Sequence, residues 1–167
     1  MLGIAFGVSP QDSGYDDLRE EFFASYEVCM TERTRTFHDV SELVGELVAM
    51  KLPWGVVTNK AERFALPLTR HMPLFSSAGA IVCGDTTPHA KPHPAPLLEA
   101  AARLNVAPHQ CVYVGDDERD IIAGLAAGMG AVAATYGYLG QNGDVDQWGA
   151  HAQIKSPLEL LNLIRDA

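Results

Sequence analysis

Cysteine, positive charge and long apolar runs are all scarce in this sequence, and each scarcity removes a class of function. The three cysteines, Cys29, Cys83 and Cys111, are odd in number, widely spaced and outside any CxxC or Cys/His cluster. That argues against a disulfide framework and a zinc site, and reads as reduced core thiols of a cytoplasmic protein. Twelve Lys and Arg stand against 21 Asp and Glu, a formal net charge of -9. A sequence-independent nucleic-acid binder needs a basic face, so nucleic acid is not expected as a partner, and an anionic substrate needs a local positive site. The opening run MLGIAFGV is too short to span a bilayer and lacks the basic flank and cleavage site of a signal peptide, so no membrane partner is expected.

What is present is the make-up of an ordinary globular chain. Its 167 residues fit one domain with a respectable core and leave room for a small accessory piece. From Tyr15 to Met30, Leu18, Phe22, Tyr26 and Met30 recur every four positions, which predicts a helix with one buried stripe. Ser41 to Met50 predicts a second helix, with Ser41 as its cap and Leu43, Val44, Leu47 and Val48 inward. Beyond Pro53 the period changes. WGVVT (54–58), AIVCG (80–84), CVYVG (111–115) and GAVAATYG (130–137) are short β-branched or apolar runs, separated by helical patterns at 62–71, 94–104 and 119–128. A last helix is expected over 157–164. Strands alternating with helices at this spacing predict right-handed crossovers, hence an α/β fold with a mainly parallel sheet covered on both faces. The composition shift at 34–41 sets a helical segment, 1–38, apart from an α/β body, 39–167.

Ligands of such sheets bind at the carboxyl ends of the strands, so the segments that follow each strand are the candidates. Thr58 and Asn59 end the first strand, where a hydroxyl and the following amides face an anion or simply cap a helix. Lys91 lies in HAKPHP, where Pro92 and Pro94 stiffen the loop; a rigidly held ammonium there suits a phosphate, though most lysines are solvated surface residues. His89 and His93 lack the spacing of a metal pair and read as loop or substrate-contact residues. GDDERD (115–120) is the strongest signal: Gly115 permits a tight exit, Asp116 and Asp117 follow at the sheet edge, and Asp120 falls in the first turn of the next helix. Hard oxygen ligands of this kind suit Mg²⁺, while helix capping accounts for one or two of the acids. Asp144 and Asp146 in NGDVDQW read as turn residues, and Tyr136 and Tyr138 as aromatic packing at the sheet edge.

Taken in order, VVTNK, AKPHP and VYVGDDERD resemble the second, third and fourth motifs of the haloacid-dehalogenase superfamily of phosphatases. The stretch from CGDTTPHAKPHP to GAVAATYGY is similar to phosphoglycolate phosphatases. The resemblance spans roughly residues 40–165, and residues 1–38 are similar to the last part of the family's helical cap. It implies a Rossmann-like parallel sheet with flanking helices plus a remnant of that cap. It further implies Mg²⁺-dependent hydrolysis of a small phosphorylated metabolite, 2-phosphoglycolate above all. Carried over by residue, Thr58 and Asn59 would hold phosphoryl oxygens. Lys91 would bridge the phosphate and a nucleophilic carboxylate, Asp116 would ligate Mg²⁺, and Asp120 would support it from behind. Asp117 receives no role.

The family's first motif, a DxDG run that ends a central strand and supplies the nucleophile, has no counterpart; the lone DxD, at 144–146, follows no apolar strand. Two expectations follow. Either Met1 is internal to a longer protein and the 167 residues are inactive alone, or LGIAFGVS forms a strand that fills the vacant central place in a phosphate- or Mg²⁺-binding pseudoenzyme. In both cases the strands that hold Thr58 and Asp116 become edges, which invites a homo-oligomer or a strand swap. A receiver-like reading needs a phosphoacceptor at a strand end, which Asp116 followed by Asp117 matches poorly.

Overall fold

The computed structural model describes residues 2–139 and 144–165; Met1, the glycine-rich run 140–143 and the last two residues lie outside them. Two compact units divide between Arg35 and Thr36.

The first unit holds helices α1 (Leu2–Phe6) and α2 (Tyr15–Cys29). LGIAFGVS is therefore not a strand. Gly7 N–H donates to the Gly3 carbonyl at 3.1 Å, closing a helical turn, and Gly7 itself takes a φ of 68° that ends it. In α2 the four-residue stripe is present but only half-buried at Leu18, Phe22 and Tyr26, and no residue of the helix is fully covered. So short a segment has little apolar surface with which to bury a stripe. Cys29 falls off that period and is exposed, which corrects its reading as a core thiol. Cys83 is buried and Cys111 half-buried, and burial pushes both thiols up, so they stay protonated and inert.

The second unit is the α/β body. Its elements are α3 (Val40–Ala49), β1 (Gly55–Val57), α4 (Glu62–His71), β2 (Ala80–Val82), α5 (Ala95–Leu104), β3 (Val112–Gly115), α6 (Glu118–Ala126), β4 (Gly130–Ala134), β5 (Ala152–Ile154) and α7 (Glu159–Arg165). The expected strands and helices are all there. Ser41 is not the cap of α3, which starts one residue earlier behind Asp39. β5 is an addition: AQI is too short to announce a strand, yet it pairs with β4 through Val132↔Ala152 and Ala134↔Ile154.

Every pairing is parallel, as the crossovers require. β4 is covered on both faces. Ala131 and Ala133 pack with Ile121 of α6, Val145 and Trp148, whereas Val132 faces Leu43 of α3, Ile154, Leu160 and Leu161. α5 lies under the other strands, with Leu97 and Ala101 against Ala123, Ala127 and Val57, and Ala100 against Ala80 and Val82.

The sheet is nevertheless split. Among the described residues β1 pairs with β2, and β3–β4–β5 form a separate ladder. Thr58 N–H donates to the Val82 carbonyl at 2.9 Å, so by strand alternation the Val57 carbonyl points away from β2, toward the gap before β3. Among the described residues no strand meets it there. Instead the Tyr113 hydroxyl donates to it at 3.2 Å and Lys91 Nζ at 3.1 Å.

Candidate active site

An open cleft of roughly 300 Å³ lies at the carboxyl ends of the strands. Thr58 and Asn59 reach it from the end of β1, Lys91 from the loop between β2 and α5, and Asp116, Asp117 and Asp120 from the β3–α6 turn. These six residues thus line one cavity, whereas His89, His93 and Tyr136 are not among its lining residues. Lys60, Arg119 and Tyr138 complete the lining.

Each side chain is placed by a specific local device. Asn59 and Lys91 clasp one another, Asn59 Nδ2 donating to the Lys91 carbonyl and Lys91 N–H to Asn59 Oδ1, both at 2.9 Å. The Asn59 side chain is therefore engaged in locking the Lys91 loop onto the end of β1. Thr58 Oγ1 accepts from Lys60 N–H at 3.1 Å, which directs its own proton elsewhere. Lys91 Nζ, largely buried, donates to the Val57 carbonyl, to the Tyr113 hydroxyl at 2.8 Å and to Asp120 Oδ1 at 2.7 Å. All three of its protons are thereby directed. His93 Nδ1 accepts from Ala95 N–H at 3.1 Å at the start of α5, with the His89 ring beside it, so both are loop residues as expected.

Across the gap, the four acids of GDDERD divide their work. Asp117 is the N-cap of α6: its Oδ1 accepts from Arg119 N–H at 2.9 Å, and its carboxylate takes two further bonds from the Arg119 guanidinium at 2.8 and 2.7 Å. The Arg119 side chain holds the Asp117 carboxyl down at about 2. Glu118 opens the helix. Asp116 Oδ2 accepts from Tyr138 N–H at 2.7 Å, and Asp120, 7% exposed, holds Lys91. Two glycines make room for these carboxylates: a Cβ on Gly137 would strike Asp116, and one on Gly115 would strike Asp120.

Tyr113 was not foreseen. It sits one strand pleat before Gly115, and its hydroxyl lies 3.4 Å from Asp120 Oδ1 and bonds to both Lys91 and Val57. Burial, then the negative field of Asp120, pushes its phenol well up, so it is a permanent proton donor. The sequence signal was a hydroxyl on an otherwise apolar strand. Asp144 and Asp146 take no part: Asp144 accepts from Gln147 and Asp146 from Gln153, as turn residues do. Asp85 accepts from Glu62 N–H at 2.9 Å at the start of α4.

The charges of the lining balance. Lys60, Lys91 and Arg119 face Asp116, Asp117 and Asp120, so net charge alone gives a phosphate dianion no reason to enter, and a divalent cation would tip the cleft positive. The donor set suits Mg²⁺ in kind, being hard carboxylate oxygen with one Asp116 oxygen anchored by a backbone N–H. It is short in number, since among the described residues no three Asp, Glu, His or Cys side chains are grouped so as to hold a metal ion. Nor, among the described residues, is any helix long and apolar enough to cross a membrane.

Comparison with known proteins gives the same picture. Residues 5–134 match the model of the haloacid dehalogenase-like hydrolase family. The chain is 36% identical over its full length to an N-acetylmuramic acid 6-phosphate phosphatase of Pseudomonas putida, of which it covers 75%. It is 39% identical over 160 residues to a phosphoglycolate phosphatase of Xanthomonas campestris, covering 72% of that protein. Among solved structures, a protein described as a predicted phosphoglycolate phosphatase from Haemophilus somnus superposes with a TM-score of 0.85 at 24% identity, over 97% of this chain and 72% of that one. The α/β body with its cleft of Thr58, Lys91, Asp116 and Asp120 belongs to the haloacid dehalogenase-like hydrolase family.

Proposed function

We propose that this chain forms most of a Mg²⁺-dependent phosphomonoester hydrolase that works through an aspartyl-phosphate, and that its nucleophile strand lies outside residues 1–167. The observation that supports this is the convergence of Thr58, Asn59, Lys91, Asp116 and Asp120 on one cleft beside the break in the sheet between β1 and β3. Thr58 would donate its hydroxyl to a phosphoryl oxygen. Lys91 would turn from the Val57 carbonyl to the phosphate and the incoming carboxylate, remaining paired with Asp120. Asp116 would hold Mg²⁺, with Asp120 behind it. When bound, the metal supplies neutralising charge at the phosphoryl oxygens. The relatives' names give two substrates to weigh, 2-phosphoglycolate and a sugar phosphate.

The 167 residues alone are expected to turn over phosphomonoesters negligibly, because among the described residues no carboxylate ends a strand between β1 and β3. Two proteins test this with p-nitrophenyl phosphate and Mg²⁺: the chain as it stands, and the chain joined to the quarter of the Pseudomonas putida relative that it does not cover. Activity confined to the extended protein is the expected result. Substantial Mg²⁺-dependent turnover by the unextended chain would overturn the proposal. The alternative, a phosphate- or Mg²⁺-binding pseudoenzyme, predicts weak calorimetric Mg²⁺ binding that Asp116→Ala abolishes, with no activity in either protein.

A further inference from the structure

Outside the polar machinery, the most unusual feature of the cleft is a ring at its mouth. Tyr138 lines the cleft yet is 81% exposed. It is far from a loose surface aromatic. Its backbone N–H is held by Asp116 Oδ2, which fixes its place relative to the candidate metal edge. Its ring lies 5.5 Å from that of Phe37, which is itself 40% exposed. Phe37 in turn meets Tyr136 edge-on at 5.7 Å, and Tyr136 packs on the core cluster of Leu43, Val132 and Ile154. Three aromatic rings therefore run from the hydrophobic core to the mouth of the cleft, and the outermost is left bare.

Aromatic residues placed this way contribute little to the fold, because the last ring buries almost nothing. They supply a flat apolar surface beside a site whose other side chains are charged or polar, which is the combination that orients a ligand with one ionic and one apolar end. Resting on the phosphatase reading above, we propose that Tyr138, buttressed by Phe37, is a specificity-determining platform that favours phosphomonoesters carrying a sugar ring. The C–H face of a pyranose can lie against the ring of Tyr138 while its phosphate enters the Lys91 side of the cleft. A two-carbon acid phosphate has no such face.

The test is calorimetric titration of the 167-residue chain in Mg²⁺ with inorganic phosphate, glycerol 3-phosphate and glucose 6-phosphate. Glucose 6-phosphate is expected to bind roughly five-fold more tightly than glycerol 3-phosphate, the scale of one aromatic contact. Tyr138→Ala should bring that ratio to about one, whereas Tyr138→Phe, which keeps the ring, should preserve it. A ratio of one in the native chain, or an undiminished ratio in Tyr138→Ala, overturns the platform and leaves the phosphatase reading standing. Failure of all three ligands to bind overturns the platform, while the phosphatase reading is decided separately by the p-nitrophenyl phosphate assay of the extended protein.

Discussion

The strand ends on the two sides of the gap carry opposite equipment and are held by opposite means. On the β1 side, Thr58, Asn59 and Lys91 are fixed largely through the backbone: Thr58 N–H on the Val82 carbonyl, and the Asn59 amide clasping the main chain of Lys91. On the β3 side, Asp116, Asp117 and Asp120 are fixed through their carboxylates, by Tyr138 N–H, by Arg119 and by Lys91. A side built on backbone bonds survives substitution of its neighbours. One built on carboxylates depends on its cations, Arg119 at Asp117 and Lys91 at Asp120. Where a strand would join the two sides with a ladder, three side chains and one carbonyl do so: Lys91, Tyr113, Asp120 and Val57.

The largest effect should come from breaking that bridge. The side chains of Lys91 and Asp120 are each about 10% exposed and 2.7 Å apart, so Lys91→Ala leaves a buried carboxylate without its cation and should cost about 3 to 5 kcal/mol. Denaturant unfolding would show a lower midpoint, and Asp120→Ala should act similarly. Replacing both, Lys91→Met with Asp120→Leu, should recover most of the loss, because two apolar side chains leave no orphaned charge. A loss below about 1 kcal/mol in the single variants would place the pair in the range of exposed ion pairs, and the bridge would not hold the two halves.

Legibility in the sequence follows the same division. The βα alternation was readable because parallel strands such as AIV and VYVG are short, mostly apolar runs, and because Thr58, Lys91 and Asp116 each follow one. The split of the sheet was foreseeable only as a missing motif, and what fills the gap was not. Tyr113 looks like any strand aromatic until β1 is brought opposite it, and the Asn59–Lys91 clasp joins residues 32 positions apart. Asp117 was ambiguous for a different reason: capping and metal binding call for the same carboxylate, and only the bonds from Arg119 decide between them. LGIAFGVS misled because a short apolar run has no period to distinguish strand from helix.

A smaller effect should come from Tyr113. Tyr113→Phe keeps the ring against α5 and α6 but removes a hydroxyl that accepts from Lys91 and donates to Val57, which should cost about 1.5 kcal/mol, as for other hydrogen bonds to charged groups. The comparison sharpens further if the same substitution is made in the extended protein proposed above. There the Val57 carbonyl would have a ladder partner, so the cost should fall to about half. An equal loss in both proteins would mean that Tyr113 serves Lys91 and Asp120 rather than the Val57 carbonyl.

The smallest effect, and the one with a pH signature, belongs to Asp117. Asp117→Asn keeps a capping oxygen for Arg119 N–H but loses the charge that pairs with the guanidinium, worth about 0.5 kcal/mol for a partly exposed pair. Arg119 lowers the Asp117 carboxyl from 3.8 to about 2 in the folded protein. A depressed folded value means that the carboxylate stabilises the fold above its unfolded pKa and that this contribution disappears as the pH falls through about 2. The difference in unfolding free energy between native and variant chains should accordingly be flat above pH about 5 and close toward zero between about 4 and 2. A difference that stays constant across that window would show that Asp117 stabilises α6 through geometry alone, and the β3 side would then depend on charge pairing at Asp120.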